Sequence, residues 1–462
     1  MDEKLYVTEL VHRARAAQKI AEGYTQEQVD KLAAAIVYKF SRRELAEQIA
    51  RLTVEETRIG NVPSKINKLA GKMPAVFYDV KNVKTVGVIE ENREMGLRKI
   101  AKPVGVIAAL IPSTNPEATP LFKGVLGLRG RNAVIFAPHP ASKKTTKTVV
   151  DGMRQVLRLN GAPEDLFICI EEPSKALSQE LMSTCDLIMA TGSGDMVKAA
   201  YSTGKPAYGV GAGNAAIVID GTVDLKETAE KILVGKTGDN ASGCSAENSL
   251  IIQKAVYDRM LEELKAVGGY LANEDEKEKL KAMMWEGGHL NRNMVAKPVE
   301  VIASLAGITV PDGTRFIMVE ETGVGKDYPF SGEKMSLVLT LYQYDGFQEA
   351  IDKVNGITSF SGFGHSCGIH SADEEHILEL ALKTYTTKVI VRQPHGASNA
   401  GAWHNGLANT FSLGCGTWGG NIVSENITQK HYINTTWVSE PIDRKPAPEE
   451  EIYGELLEGM KW

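Results

Sequence analysis

The sequence predicts an α/β fold: a doubly wound unit, a second α/β unit and a small β element. Three observations carry this. From residue 104 short apolar runs alternate with helical segments, as in parallel sheets covered on both faces. A second alternation starts near residue 222. The chain has 462 residues, too many for one simple core. The expected divisions are 1–221, 222–421 and 422–462.

The elements follow in order. Residues 4–60 read as a helical layer. Thr25 with Gln28 forms a capping-box signature, and Val29, Leu32, Ile36 and Phe40 recur behind it at helical spacing. Ser41 with Glu44 repeats the signature ahead of Leu45, Ile49 and Leu52. Residues 83–100 alternate about a Gly/Asn/Glu-rich centre, which reads as a β-hairpin whose unpaired edges invite another subunit. Strands are expected at 104–111, 133–136, 166–170, 187–190 and 215–219, with helices at 116–129, 142–159, 174–183 and 195–203. In such sheets ligands sit beyond the carboxyl ends of the strands. The turns at 112–116, 137–140 and 191–194 therefore matter most. Thr191, Gly192 and Ser193 open a helix and offer amides and hydroxyls to a phosphate. Gly209, Gly211 and Gly213 resemble part of a dinucleotide fingerprint, but they precede a strand, and we do not read them as one.

In the second unit, helices are expected at 226–237, 256–266, 346–355 and 374–383, and strands at 335–344 and 388–392. Residues 268–290 are charged and interrupted by glycine, a surface pattern. Residues 394–421 are rich in Gly, Asn and Trp without period, a structured loop. A strand at 427–438 and a Pro/Glu-rich arm at 445–462 close the chain.

Composition excludes several function classes. The net charge of −6 leaves no basic field for nucleic acid. Nine histidines are scattered without zinc spacing, so no metal is expected. Five widely spaced cysteines suggest no disulfide framework and imply a reducing cytoplasm. The amino terminus is charged and lacks a secretory core. No apolar run approaches the ~20 residues of a membrane span, so no membrane partner is expected.

One stretch concentrates chemistry: Gly238-Asp239-Asn240-Ala241-Ser242-Gly243-Cys244, followed by Ser245-Ala246-Glu247-Asn248. A Gly/Asn/Ser turn presents a thiol ahead of an apolar run, where a strand would back it. Five further motifs accompany it: 111–116, 196–206, 209–214, 364–367 and 413–421. Together these resemble the aldehyde dehydrogenase superfamily, and within it the CoA-acylating branch, over roughly residues 5–440.

The resemblance implies roles for individual residues. Cys244 would be the nucleophile, since a thiolate attacks a carbonyl well and later leaves as a thioester sulfur. The Asn115 amide, with the Cys244 backbone N–H, would stabilise the alkoxide. His365 would steer a thiol or support the site from behind. Thr191, Gly192 and Ser193 would meet the pyrophosphate of NAD or NADP, and Glu333 its nicotinamide ribose. Ser113, Pro138 and His139 fall around the same cofactor, with Lys143 and Lys144 available to a 2′-phosphate. Arg392, His395 and His404 would form the mouth of the substrate pocket and recognise an anionic aldehyde.

The departures select the branch. Hydrolytic members carry a glutamate base where this chain has Val210-Gly211-Ala212-Gly213-Asn214. Water would lack activation, so the thiol of CoA should release the acyl group. The Gly-Cys-Gly-Thr-Trp-Gly loop resembles that of acylating enzymes for charged aldehydes. Sulfoacetaldehyde is the expected substrate, with succinic semialdehyde, acetaldehyde or propionaldehyde as alternatives. A hydrolytic enzyme and a non-catalytic scaffold are the competing readings. The resemblance also implies a nucleotide-binding first unit, a catalytic second unit, and a homodimer or homotetramer formed through the 83–100 hairpin and the 427–438 strand as a small β oligomerisation element.

Overall fold

A computed structural model describes residues 2–192 and 194–461. Ser193 therefore lies outside the described residues. Two parallel sheets organise the chain. The first has the strand order Phe167–Cys169, Ala133–Pro138, Val106–Ile111, Leu187–Thr191, Ala207–Val210. Val106–Ile111 and Ala133–Pro138 are buried at every position, hence their unbroken apolar runs. The chain leaves Val106–Ile111 towards one edge and later returns to build the other from Leu187–Thr191. A switch-point crevice results beyond the carboxyl ends of these two neighbours.

The second sheet runs Gly269–Leu271, Phe316–Glu320, Val338–Tyr344, Glu247–Gln253, Ala215–Ile219, Cys367–His370, Val389–Val391. Ala215–Ile219 is a strand as expected, but it pairs with Glu247–Gln253 and Cys367–His370 in this second sheet. The missed partner is Ala207–Val210, which completes the first sheet beside Leu187–Thr191. The crossing therefore falls within 211–214, ahead of the boundary expected at 221. Gly209 lies within a strand rather than only preceding one.

Other expectations shift for local reasons. The Thr25–Gln28 capping box forms. The Ser41–Glu44 box does not, because Ser41 is the last residue of Gln26–Ser41 and its hydroxyl donates back to the Tyr38 carbonyl at 2.9 Å. The next helix, Arg43–Thr57, starts without a side-chain cap. Within 268–290 lies a helix, Glu274–Met284, closed by an Asn273–Glu276 capping box and burying Leu280 and Met284. Its charges occupy the remaining face.

The hairpin forms from Gly87–Asn92 and Leu97–Lys102. Asn434–Ser439 adds to it antiparallel, making a three-stranded sheet. The strand expected from 427 begins only at Asn434, because Gln429–Tyr432 is a tight turn and Ile427 and Tyr432 are buried in the first core. Among the described residues no helix is long and apolar enough to cross a membrane.

Candidate active site

Cys244, Glu333, His365 and Lys388 share one structural address. Each lies just ahead of a strand of the second sheet, at its amino edge. Asn115, Pro138 and Thr191 lie at or just past carboxyl ends in the first sheet.

The nucleophile turn is built from unusual backbone. Asp239, Asn240 and Ala241 have φ of 50°, 53° and 58° in succession. Asp and Asn tolerate this left-handed region better than most residues. The turn delivers a half-buried, free Cys244. A side-chain carbon at Gly213 would stand 2.1 Å from the Cys244 carbonyl oxygen and 3.0 Å from His365 Cε1. Glycine at 213 is what lets the crossing segment pass against the nucleophile.

His365 Nε2 lies 3.1 Å from Cys244 Sγ. Its Nδ1 meets Ser366 Oγ at 2.8 Å. Asn399 Nδ2 donates to Ser366 Oγ and to Ser245 Oγ, each at 2.9 Å. For Nε2 to accept a proton, Nδ1 must carry the ring hydrogen and donate it to Ser366. The serine oxygen then accepts from His365 and Asn399, filling both lone pairs. Sequence reasoning missed Ser366 and Asn399, since no local pattern links residue 366 to residue 399.

Burial, with the charges of Glu333 and Cys415, pushes the Cys244 thiol up to about 12. Burial and the positive charge of Lys388 push His365 down to about 3. The free pair is therefore a neutral thiol facing a neutral imidazole. Lys388 is itself buried, which lowers its pKa, and it donates to the Gly414 carbonyl and Thr387 Oγ1 at 3.1 Å each.

Glu333 accepts a hydrogen bond from the Gly213 N–H at 3.2 Å. Burial raises its carboxyl to about 7, against that hydrogen bond. Thr191 Oγ1 contacts Ser412 Oγ at 3.3 Å, and Gly192 precedes the helix Gly194–Tyr201. His139 Nδ1 accepts from the Ala141 N–H at 3.1 Å, and Pro138 ends its strand. Ser113 is half-buried in the turn after Ile111. The switch-point crevice, with Thr191 and Gly192 just ahead of the helix Gly194–Tyr201, fits a dinucleotide.

Two of the three residues expected around the pocket mouth, Arg392 and His395, lie elsewhere. Arg392 follows the carboxyl end of Val389–Val391, the edge opposite Lys388, where it donates to the Ser371 carbonyl at 2.8 Å. His395 is 1% exposed and its Nδ1 meets the Ser245 carbonyl at 2.7 Å, behind the nucleophile turn. His404 is exposed and contacts Ser398 Oγ at 3.1 Å. Loop composition signalled proximity to the site but not the direction of each side chain. Among the described residues no cluster of His, Cys, Asp or Glu could hold a metal.

Comparison with known proteins decides the family. The model of the aldehyde dehydrogenase family matches residues 3–284. The chain belongs to the aldehyde dehydrogenase family. An acylating sulfoacetaldehyde dehydrogenase of Bilophila wadsworthia is 44% identical, over 97% of this chain and 98% of its own. The crystal structure of an acetylating aldehyde dehydrogenase from Geobacillus thermoglucosidasius matches with a TM-score of 0.93 and 37% identity, over 96% of this chain and 98% of that one. A propionaldehyde dehydrogenase of Rhodopseudomonas palustris, with bound CoA and an acylated cysteine, matches at 0.82 and 25% identity, over 94% and 97%. These aldehyde dehydrogenases belong to the acylating branch, as does this chain.

Proposed function

We propose that the protein oxidises a short aldehyde to an acyl-CoA, using NAD(P)+ and CoA. The observation that carries this reading is the 3.1 Å contact between His365 Nε2 and Cys244 Sγ, beside a 210–214 segment without a carboxylate. The Cys244 sulfur bonds to the aldehyde carbon as its proton moves to His365 Nε2, which avoids a free thiolate in a buried site. The Asn115 amide and the Cys244 N–H hold the resulting alkoxide. A bound nicotinamide supplies the hydride acceptor, leaving the acyl group on Cys244 as a thioester. His365 releases the proton taken from Cys244 to solvent before CoA reacts. The CoA sulfur then bonds to the acyl carbon as its proton moves to His365 Nε2, the bond to Cys244 breaks, and His365 returns that proton to the Cys244 sulfur.

Sulfoacetaldehyde is the substrate we favour, on the likeness to the Bilophila enzyme. For the cofactor, Lys143 Nζ is engaged by Glu172 at 2.5 Å. The Glu56 carboxylate takes the Lys144 and Thr145 N–H groups at 2.8 Å each. A carboxylate at that helix start favours the 2′-hydroxyl of NAD over the 2′-phosphate of NADP. We also infer a homo-oligomer built on the three-stranded sheet, where Val88 and Trp437 are 44% and 52% exposed; sedimentation velocity tests it.

A second reading is favoured by Glu333, the carboxylate whose charge acts most strongly on Cys244. In that case Glu333 activates water and the product is a free acid. Reduced-cofactor formation separates the two. Acyl transfer gives steady turnover with sulfoacetaldehyde only when CoA is present. Equal turnover without CoA, abolished in Glu333→Gln, would establish hydrolysis.

A further inference from the structure

A largely buried charge cluster joins Asp239 of the nucleophile turn to Lys65, Lys68 and Glu117, three residues outside every motif described above. Lys65 belongs to Val62–Asn67, and Lys68 opens the π-helical turn Lys68–Lys72. Such turns occur often at functional sites. Lys68 Nζ donates both to Asn115 Oδ1 and to Asp239 Oδ2. Lys65 Nζ pairs with Asp239 Oδ2 at 2.8 Å and donates to the Thr114 carbonyl at 2.5 Å. Glu117, fully buried, stands 3.6 Å from Lys65 and 3.9 Å from Lys68. Two cations thus face two anions.

A lysine ammonium has only donors. The amide oxygen of Asn115 must therefore face Lys68, and the NH2 must point the other way. That settles an orientation which an asparagine otherwise leaves open. The opposite arm of the bridge reaches the nucleophile. Asp239 accepts from Ser242 Oγ at 2.7 Å and from the Asn61 N–H at 2.9 Å, and Ser242 lies in the turn that presents Cys244. Gly60 has φ +76°, and a side-chain carbon there would stand 1.9 Å from Asp239 Oδ1, so the carboxylate is closely seated. Burial opposes the Asp239 charge, yet Lys68 and Lys65 hold its carboxyl down to about 2. Burial also opposes the Lys68 ammonium, but Asp239 and Glu117 raise its pKa above the ordinary lysine value. The bridge stays charged throughout the neutral range.

We propose that Lys68 is a positioning residue: one ammonium fixes the amide of Asn115 relative to the Cys244 turn, so that the alkoxide donor and the sulfur are held in register. The proposal rests on the roles given above to Asn115 and Cys244. Lys68 touches neither substrate nor sulfur. It acts through Asn115 on one side and Asp239 on the other, and its contribution should appear only when an alkoxide forms.

The test is a double-mutant cycle on the full chain, read in two reactions. The first is single-turnover reduction of cofactor by sulfoacetaldehyde. The second is alkylation of Cys244 by iodoacetamide, which forms no alkoxide. Asn115→Ala should slow the first by ~10²–10³. Lys68→Met should slow it by at least ~10-fold while changing alkylation less than ~3-fold, and adding it to Asn115→Ala should cost less than ~3-fold more. Lys68→Gln, which keeps a donor for Asn115, should recover part of the rate and serves if Lys68→Met does not fold. Independent, multiplying losses from the two substitutions would overturn the proposal and leave the Asn115 reading intact. So would full activity in a folded Lys68→Met or Lys68→Gln protein. An unchanged rate in Asn115→Ala would overturn the Asn115 reading, and this proposal with it.

Discussion

Cys244 and His365 show how burial and contact divide a task. The thiol is pushed up to about 12 and the imidazole down to about 3, so neither ionises alone near neutral pH. The free enzyme should therefore alkylate slowly. The logarithm of its rate with iodoacetamide should climb steadily from pH 7 to 10, without the plateau of a preformed thiolate. A plateau below pH 8 would show that an ion pair exists before substrate arrives. His365→Ala should lower aldehyde turnover by ~10²–10⁴ through loss of the proton acceptor, measured as cofactor reduction at saturating aldehyde. Cys244, Asn115 and His365 were legible in the sequence because each sits in a short motif whose local order carries its chemistry. Ser366 and Asn399 were not, since their relation to His365 arises only when strand and loop meet. Lys65 and Lys68 left a fainter trace. With Lys72 they recur at helical spacing, although nothing local reveals that the face they share is buried.

At the scale of elements, the proposed nucleophile Cys244 and its neighbour His365 come from segments that precede strands, and close packing holds those segments. Gly213 is a tight point against the nucleophile. Gly213→Ala would press a methyl against the Cys244 carbonyl, 2.1 Å away, and that backbone has little room to yield. A loss of ~1–3 kcal/mol in stability, as for overpacking, and a fall in aldehyde turnover smaller than that of Cys244→Ser would each be visible by denaturant titration and single-turnover kinetics. Native stability and turnover in Gly213→Ala would mean that the crossing segment is looser than described. Strand positions were legible wherever apolar runs were long and bounded by turns, as at Val106–Ile111. Ala207–Val210 and Cys367–His370 escaped notice because glycine and polar residues interrupt them, and sheet partners rather than propensity make them strands. The membership of Ala215–Ile219 was likewise hidden, since a strand carries no local mark of which sheet it joins.

The whole molecule carries a stability cost at its active site. Burial holds the Glu333 carboxyl at about 7, above the usual ~4.3 of a glutamate. Between those values the folded chain keeps a proton that the unfolded chain releases, so stability falls as pH rises through that window. Glu333→Gln removes the charge and should raise stability at pH 8 by ~1–3 kcal/mol, with the gain vanishing near pH 4.5. Thermal unfolding at both pH values checks this, and an equal gain at both would assign the effect to packing instead. Two facing sheets, one offering carboxyl ends and the other amino ends, bring the crevice and the sulfur together. The two α/β units followed from the double alternation in the sequence, whereas the opposed strand ends and the switch of sheets within 211–214 needed the structure. The central claim is that Cys244 holds the oxidised fragment until another thiol removes it. Intact-protein mass spectrometry after mixing enzyme, sulfoacetaldehyde and NAD+ without CoA reads this most directly. The account expects an adduct of acyl mass on Cys244 that persists and disappears when CoA is added. Prompt loss of that adduct as free acid, with no change on adding CoA, would contradict it.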